Sequence, residues 1–273
     1  MRKILLFVFA FCFAAGTYAQ TQTVRAFSHR GGRLERDENT LVAFQESWDA
    51  GYTGFETDIR MTKDGVLYLT HDHTLERTTD GCGIFEEKTA AEIEALRTKK
   101  GNKILSFADF CAFLDGKDGL YVEFEMKTTP AALYPQARLE EYVEKVYAGV
   151  RGIRTRNSQF VFTSSDYRGL RYLQEHHPEA DLLLIVSKPI NDETIALAKT
   201  VGIKTLGCKL EGTSRTMVDK AHAEGITVSL WPNQKIEDFV LGIYLGADRL
   251  CCDIPVTLKA FLDEKMPWVK VIY

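Results

Sequence analysis

Two histidines in the first half of the chain stand beside the charged partners that proton transfer and phosphate binding need. His29 leads Arg30-Gly31-Gly32, and His71 is followed by Asp72. Imidazole gives and takes protons near neutral pH. Arg30 offers a planar fork suited to phosphate oxygens. Gly31 and Gly32 are expected to let a ligand approach the backbone. A single histidine in a strand is more often a packed or capped residue. Two at the ends of strand-like runs, one beside an arginine, point to an acid and a base. Glu56 and Asp58 are two apart, as are Glu123, Glu125 and Lys127. On a strand such residues face the same side. Carboxylates gathered this way repel one another unless a cation sits among them. A hard divalent metal held by oxygen ligands answers that repulsion. A salt-bridge network with Arg30, Arg60 and Lys127 is the alternative. An acid, a base, a metal and phosphate-binding cations together suit phosphoryl-ester chemistry. His73, His176, His177 and His222 lack such a setting and read as surface or loop residues. A serine-hydrolase reading is weak: there is no GxSxG elbow, and Ser164-Ser165 has no evident partner histidine.

These residues must be positioned by a scaffold. Short β-rich runs fall at 24–28, 54–59, 120–125, 159–163, 181–186, 204–208, 227–231 and 248–252, and amphipathic stretches separate most of them. The clearest helix covers 138–150, with Leu139, Tyr142, Val143, Val146, Tyr147 and Val150 on one face. Residues 214–223 and 236–245 are others. Eight strands alternating with helices predict an α/β fold with a parallel sheet. The count fits a closed (β/α)8 TIM-like barrel, with a doubly wound open sheet as the runner-up. In a barrel the C-terminal strand ends converge on one site. Residues 66–70 alternate like a strand but follow 54–59 too closely for a parallel crossover. With the turn Lys63-Asp64-Gly65, residues 54–71 read as a hairpin-like unit. Residues 72–118 then read as a small insertion of loops and short helices after the second strand unit, including 90–96 and 107–114.

The 273-residue chain is 45% hydrophobic and 26% charged, which suits one globular domain. Residues 1–19 differ: Arg2 and Lys3 precede an apolar run and end in Thr17-Tyr18-Ala19. This pattern reads as a secretory signal peptide, with a secreted or periplasmic domain over 20–273. The run is short for a membrane anchor. Removing two basic residues leaves 32 basic against 38 acidic, a net charge of −6. That balance offers no electrostatic footprint for nucleic acid and no polybasic stretch for anionic lipid. No later segment predicts stable membrane insertion. Cys251 and Cys252, adjacent in an apolar run, are expected to pack. A Cys82–Cys111 bridge stays open at this level.

Several motifs, taken in order, resemble one family. They are His29-Arg30-Gly31, Glu38-Asn39-Thr40 with Phe44, Glu56-Thr57-Asp58, Thr62-Lys63-Asp64-Gly65, His71-Asp72, and Leu75-Glu76-Arg77-Thr78-Thr79 with Gly83. Glu125-Met126-Lys127, Gly246-Ala247-Asp248 and Cys252-Asp253-Ile254-Pro255 continue the match. The whole is similar to the glycerophosphodiester phosphodiesterase family. The resemblance implies a (β/α)8 barrel with a small insertion. It implies His29 and His71 as general acid and base, and Glu56, Asp58 and Glu125 as ligands of one divalent metal, Mg²⁺ or Ca²⁺. Arg30 and Lys127 would contact the phosphate of a small glycerophosphodiester. The implied products are sn-glycerol 3-phosphate and an alcohol. The implied route is attack by the neighbouring glycerol hydroxyl to give a cyclic phosphate that water then opens.

Two departures bear on the head group. Trp231-Pro232-Asn233 is one residue shorter than the family's Trp-Thr-Val-Asn, and Ser164-Ser165 replaces a Ser-Phe pair. Both lie where substrate could contact the wall, and Trp231 is a substrate-binding candidate. A binding module would need no acid/base pair. A phospholipase on intact lipid would need an exposed apolar rim, for which Ile84, Phe85, Phe107, Phe110 and Phe113 are the candidates, although their spacing fits core packing as well. The head group and the oligomeric state are not written in the sequence.

Overall fold

The computed structural model describes residues 23–273; the leader read over residues 1–19 lies outside them. Eight strands form a closed parallel ring: β1 (Thr23–His29), β2 (Gly54–Met61), β4 (Tyr121–Met126), β5 (Gln159–Ser164), β6 (Asp181–Pro189), β7 (Thr205–Lys209), β8 (Thr227–Asn233) and β9 (Arg249–Cys252). Pairing of Ser28 with Phe55 and His29 with Glu56 joins β1 to β2 and closes the barrel. The open-sheet alternative is thereby excluded. All eight expected strands form. A short β10 (Lys270–Ile272), not foreseen, adds in parallel to the start of β1.

The hairpin reading of 54–71 also holds. β3 (Leu67–Leu69) runs antiparallel to the end of β2, with Ile59 opposite Leu69 and Met61 opposite Leu67. Thr62 fixes the turn: its hydroxyl donates to Asp64 at 2.7 Å and accepts from the Val66 N–H at 2.9 Å. In the 72–118 stretch, α2 (Ala90–Ala95) carries a Thr89/Glu92 capping box. α3 (Phe107–Leu114) lies against the barrel. Its Phe110 packs on Phe44 of α1 (Leu41–Asp49) at 4.5 Å between ring centroids and on Phe124 of β4 at 6.2 Å. It therefore serves as the crossover helix into β4. Phe85, Phe107, Phe110 and Phe113 are all buried. The aromatic residues considered for a lipid-facing rim are core.

Most of the core lies between strands and helices. A smaller cluster fills the barrel interior: Phe27, Tyr121, Val161, Leu183 and Cys251. It forms the floor on which the polar mouth rests. Cys251 faces this interior while Cys252 joins the outer layer, as neighbours on a strand must. Cys82 and Cys111 are free thiols, so the possible bridge between them does not form.

Candidate active site

Every candidate residue sits at the C-terminal end of the barrel. His29 ends β1, and β2 carries Glu56 and Asp58. His71 follows β3, Glu125 and Lys127 close β4, and Trp231 lies near the end of β8. Strand register decides who meets whom: Glu56 lies beside both His29 and Glu123, and Asp58 beside Glu125. A cavity of about 150 Å³ is lined by His29, Arg30, Glu56, His71, Glu125 and Lys127, together with Trp231. Asp58 lies behind it, fully buried. His73, His176, His177 and His222 do not line it. A larger open groove of about 820 Å³ runs along α3 and α4 (Gln136–Arg151) and holds none of these groups.

The backbone after β1 makes an unusual bend. Arg30, Gly31 and Gly32 have φ of 56°, 78° and 96°. The left-handed region costs an ordinary side chain energy. The Arg30 N–H donates to the Glu56 carbonyl at 3.0 Å and the Gly32 N–H to the His29 carbonyl at 2.8 Å, which fixes the bend. The two glycines do not open a path to a ligand, contrary to expectation. A Cβ on Gly31 would meet Ala43 Cβ at 2.6 Å, and one on Gly32 would meet the Pro255 ring at 2.8 Å. Their role is close packing against two helices, which aims the Arg30 side chain inward.

Both histidines are held in the same way. His29 Nδ1 bonds Asp253 just after β9, and Asp253 is gripped from its other oxygen by Arg33 at 2.7 Å. His71 Nδ1 bonds Asp72 at 2.6 Å, and Arg77 pairs with the same carboxylate. In each case the carboxylate takes up Nδ1 and leaves Nε2 for other work. Burial, and then the Arg30 charge, pull the His29 pKa below its usual value despite Asp253. The hydrogen bond from His71, with Arg77 adding to it, holds Asp72 far below the carboxylate range. Asp253 and Asp72 occur in the recognised motifs, yet carried no assigned role. Only the fold shows that Asp253, 224 residues away, backs His29.

Ligand-type oxygens of Glu56, Asp58 and Glu125 lie within 4.8 Å of one another. Arg30 Nε is 2.9 Å from Asp58 Oδ2, and Lys127 Nζ is 2.9 Å from Glu125 Oε1 and 3.6 Å from Asp58 Oδ1. The Asn39 amide donates to Asp58 at 2.9 Å. Burial opposes the Asp58 charge, but Arg30, His71 and Lys127 outweigh it and hold that carboxyl well down. Burial and the Asp58 charge push Glu56 well up. Arg60, named in the salt-bridge alternative, turns instead to Glu86 at 2.6 Å and the His71 carbonyl at 2.8 Å. Two cations therefore face three carboxylates, and both buried oxygens of Glu56 lack a hydrogen-bond partner. Orphaned oxygen donors in an excess of negative charge fit a hard divalent cation. Glu123, also on the cavity wall, is pushed up to about 7 by burial and accepts from the Tyr121 hydroxyl at 2.5 Å.

Trp231 reaches the cavity with its buried Nε1 unpartnered. Of the pair noted for the head group, Ser165 lines the cavity, while Ser164 turns back to the Met126 carbonyl at 2.8 Å.

Comparison with known proteins agrees with this geometry. Residues 29–257 match the model of the glycerophosphoryl diester phosphodiesterase family. A glycerophosphodiester phosphodiesterase of Caldanaerobacter subterraneus subsp. tengcongensis is 27% identical over 240 residues, which cover 85% of this chain and 94% of that protein. A solved structure from Silicibacter pomeroyi DSS-3 has a TM-score of 0.79 at 24% identity, covering 90% of this chain and 96% of that one. An Oleispira antarctica phosphodiesterase, solved in complex with the product sn-glycerol-3-phosphate, has a TM-score of 0.77 at 20% identity over 88% of this chain and 97% of that one.

Proposed function

The chain belongs to the glycerophosphoryl diester phosphodiesterase family, and we propose that it hydrolyses glycerophosphodiesters to sn-glycerol 3-phosphate and an alcohol, with a divalent metal and a His29/His71 acid–base pair. One observation carries the reading: two carboxylate-backed imidazoles share a cavity with Glu56, Glu125, Arg30 and Lys127. The product held by the Oleispira antarctica phosphodiesterase supports the same chemistry here.

Glu56, Asp58 and Glu125 would hold the metal, Mg²⁺ or Ca²⁺. When bound, it would neutralise phosphate charge and orient the attacking hydroxyl. The chain's own groups do the rest. Arg30 and Lys127 face the phosphate oxygens. One histidine takes the proton of the attacking glycerol hydroxyl on Nε2, and the other gives a proton to the departing alkoxide. The two exchange roles when water opens the cyclic phosphate. Trp231 and Ser165 meet the alcohol or the glycerol. The substrate is a small molecule. No helix among the described residues is long and apolar enough to cross a membrane.

Offering glycerophosphocholine, -ethanolamine, -glycerol and -inositol with Mg²⁺ or Ca²⁺ tests the proposal. Release of sn-glycerol 3-phosphate, abolished by EDTA and restored by one metal, is expected. Full turnover in EDTA, or binding without turnover, overturns it. Export to the periplasm or medium belongs to the same reading. It rests on the basic head and apolar run of residues 1–19 and predicts a mature N-terminus at Gln20. Terminal sequencing of exported protein that finds Met1 excludes it.

A further inference from the structure

Cys251 enters the cavity from β9, where it stands in register beside Phe27 of β1. The proposed reaction gives its thiol no task. Its neighbours suggest one. A ligand atom of Cys251, one of His29 and one of Glu56 all lie within 4.8 Å of one another, and all three residues are buried. His29 Nε2 is 3.6 Å from Glu56 Oε2. Tetrahedral zinc ligands of this kind stand roughly 3.4 Å apart, from bond lengths of about 2.0–2.2 Å. The His29–Glu56 pair is already near that spacing, and the Cys251 sulfur lies within 4.8 Å of a ligand atom of each.

Three further features suit a metal. Asp253 binds His29 Nδ1, so the free Nε2 carries the lone pair, as in carboxylate–histidine–zinc arrangements. Both Glu56 oxygens are buried without hydrogen-bond partners, so one is available on each side of the carboxylate. The cavity leaves a fourth position open to water or phosphate. The donor set differs in kind from the all-oxygen group of Glu56, Asp58 and Glu125. Thiolate and imidazole select borderline-soft ions over Mg²⁺ or Ca²⁺.

We propose that His29, Cys251 and Glu56 form a second cation site, selective for ions of the Zn²⁺ class, whose occupation withdraws His29 from proton transfer and so inhibits the enzyme. Binding replaces the thiol proton by a sulfur–metal bond and releases that proton to solvent. Glu56 is shared with the oxygen site, so the two ions compete or bridge through it. The binding claim is independent of the proposed activity. The inhibition claim rests on the acid–base reading of His29.

Co²⁺ serves as the spectroscopic probe on the mature chain, with Cys82→Ser introduced to remove the exposed thiol. A thiolate-to-Co²⁺ charge-transfer band and intense tetrahedral visible bands are expected. Cys251→Ser should abolish the charge-transfer band. In glycerophosphocholine hydrolysis supported by Mg²⁺ or Ca²⁺, Zn²⁺ should inhibit. Cys251→Ala should raise the half-inhibiting Zn²⁺ concentration by at least about tenfold, the low end for losing even an outer partner of a metal ligand. Its turnover without Zn²⁺ should be unchanged. No charge-transfer band, or one that persists in Cys251→Ser, overturns the site. Equal Zn²⁺ inhibition of both forms overturns the regulatory role. If no diester is cleaved at all, the functional reading fails, while the Co²⁺ titration still decides the site.

Discussion

A carboxylate on Nδ1 and a place on the cavity wall set these two histidines apart from the other four, of which His177 and His222 bond Glu144 and Asp248 through Nε2. Asp253 backs His29 and Asp72 backs His71, so both rings present Nε2 in a fixed tautomer. His29→Ala and His71→Ala should each lower kcat by about two to four decades. Because both serve one transition state, the double variant should lose less than the product of the two losses. Metal affinity, read by calorimetry, should hardly change at the oxygen site. A large loss of binding with a small loss of saturated kcat would make the histidines ligands instead. The motifs exposed His29, His71 and the carboxylates because each sits within a few residues of its group. Asp253 was quoted with its motif but given no part, because its partner is a whole barrel away in sequence. Glu123 makes a separate prediction. Its folded pKa, about 7, lies above the unfolded value. Its contribution to stability is therefore full below about pH 4.3 and lost as pH rises through about 7. In EDTA, Glu123→Gln should match wild type near pH 4.5 and exceed it above pH 8 by on the order of 3 kcal/mol. Gln is neutral like the acid form and keeps the acceptor for Tyr121. An equal difference in melting temperature at both pH values would exclude this account.

At the scale of elements, period and punctuation made most of the barrel legible. Each strand run is short and apolar, and 138–150 shows its buried stripe, realised as α4 with Leu139, Tyr142, Val143, Val146 and Val150 inside. Two features escaped. β10 is a three-residue strand with exposed ends, too short to carry a pattern. The bend at Arg30 was read as ligand access because glycine permits both close packing and close binding. Only the positions of Ala43 and Pro255 decide between them. α3 is the most testable element. Phe110 is fully buried among Phe44, Phe113 and Phe124. Phe110→Ala should cost about 3–5 kcal/mol in urea unfolding. Trp268→Ala, at a residue 69% exposed, should change stability by no more than about 0.5 kcal/mol. Similar losses at both would mean that α3 is not part of the barrel core.

The whole molecule places a surplus of buried negative charge at one end of a closed barrel, above an apolar floor. Such a site weakens the fold until a cation fills it, and this links metal binding to global stability. An ion that binds only the folded chain should add about 2.7 kcal/mol at one hundred times its dissociation constant. For a chain of this size that is a rise in Tm of roughly 5–11 °C. The salt-bridge and metal readings then part on two substitutions. Glu56 has no hydrogen-bond partner, and burial, then repulsion from Asp58, raises its pKa. Glu56→Gln should therefore leave the EDTA-treated protein as stable as wild type or more so, while erasing most of the rise on adding Mg²⁺ or Ca²⁺. Asp58 instead neutralises Arg30 and Lys127. Asp58→Asn should erase the same rise and also destabilise the metal-free chain, because the buried Arg30 guanidinium loses the carboxylate at its Nε and keeps only Glu38, at 3.0 Å. A network made only of ion pairs predicts no Tm response to either metal in any of the three proteins. Calorimetric melts with and without EDTA distinguish the two, and the sign of the Glu56→Gln effect in EDTA is the decisive reading.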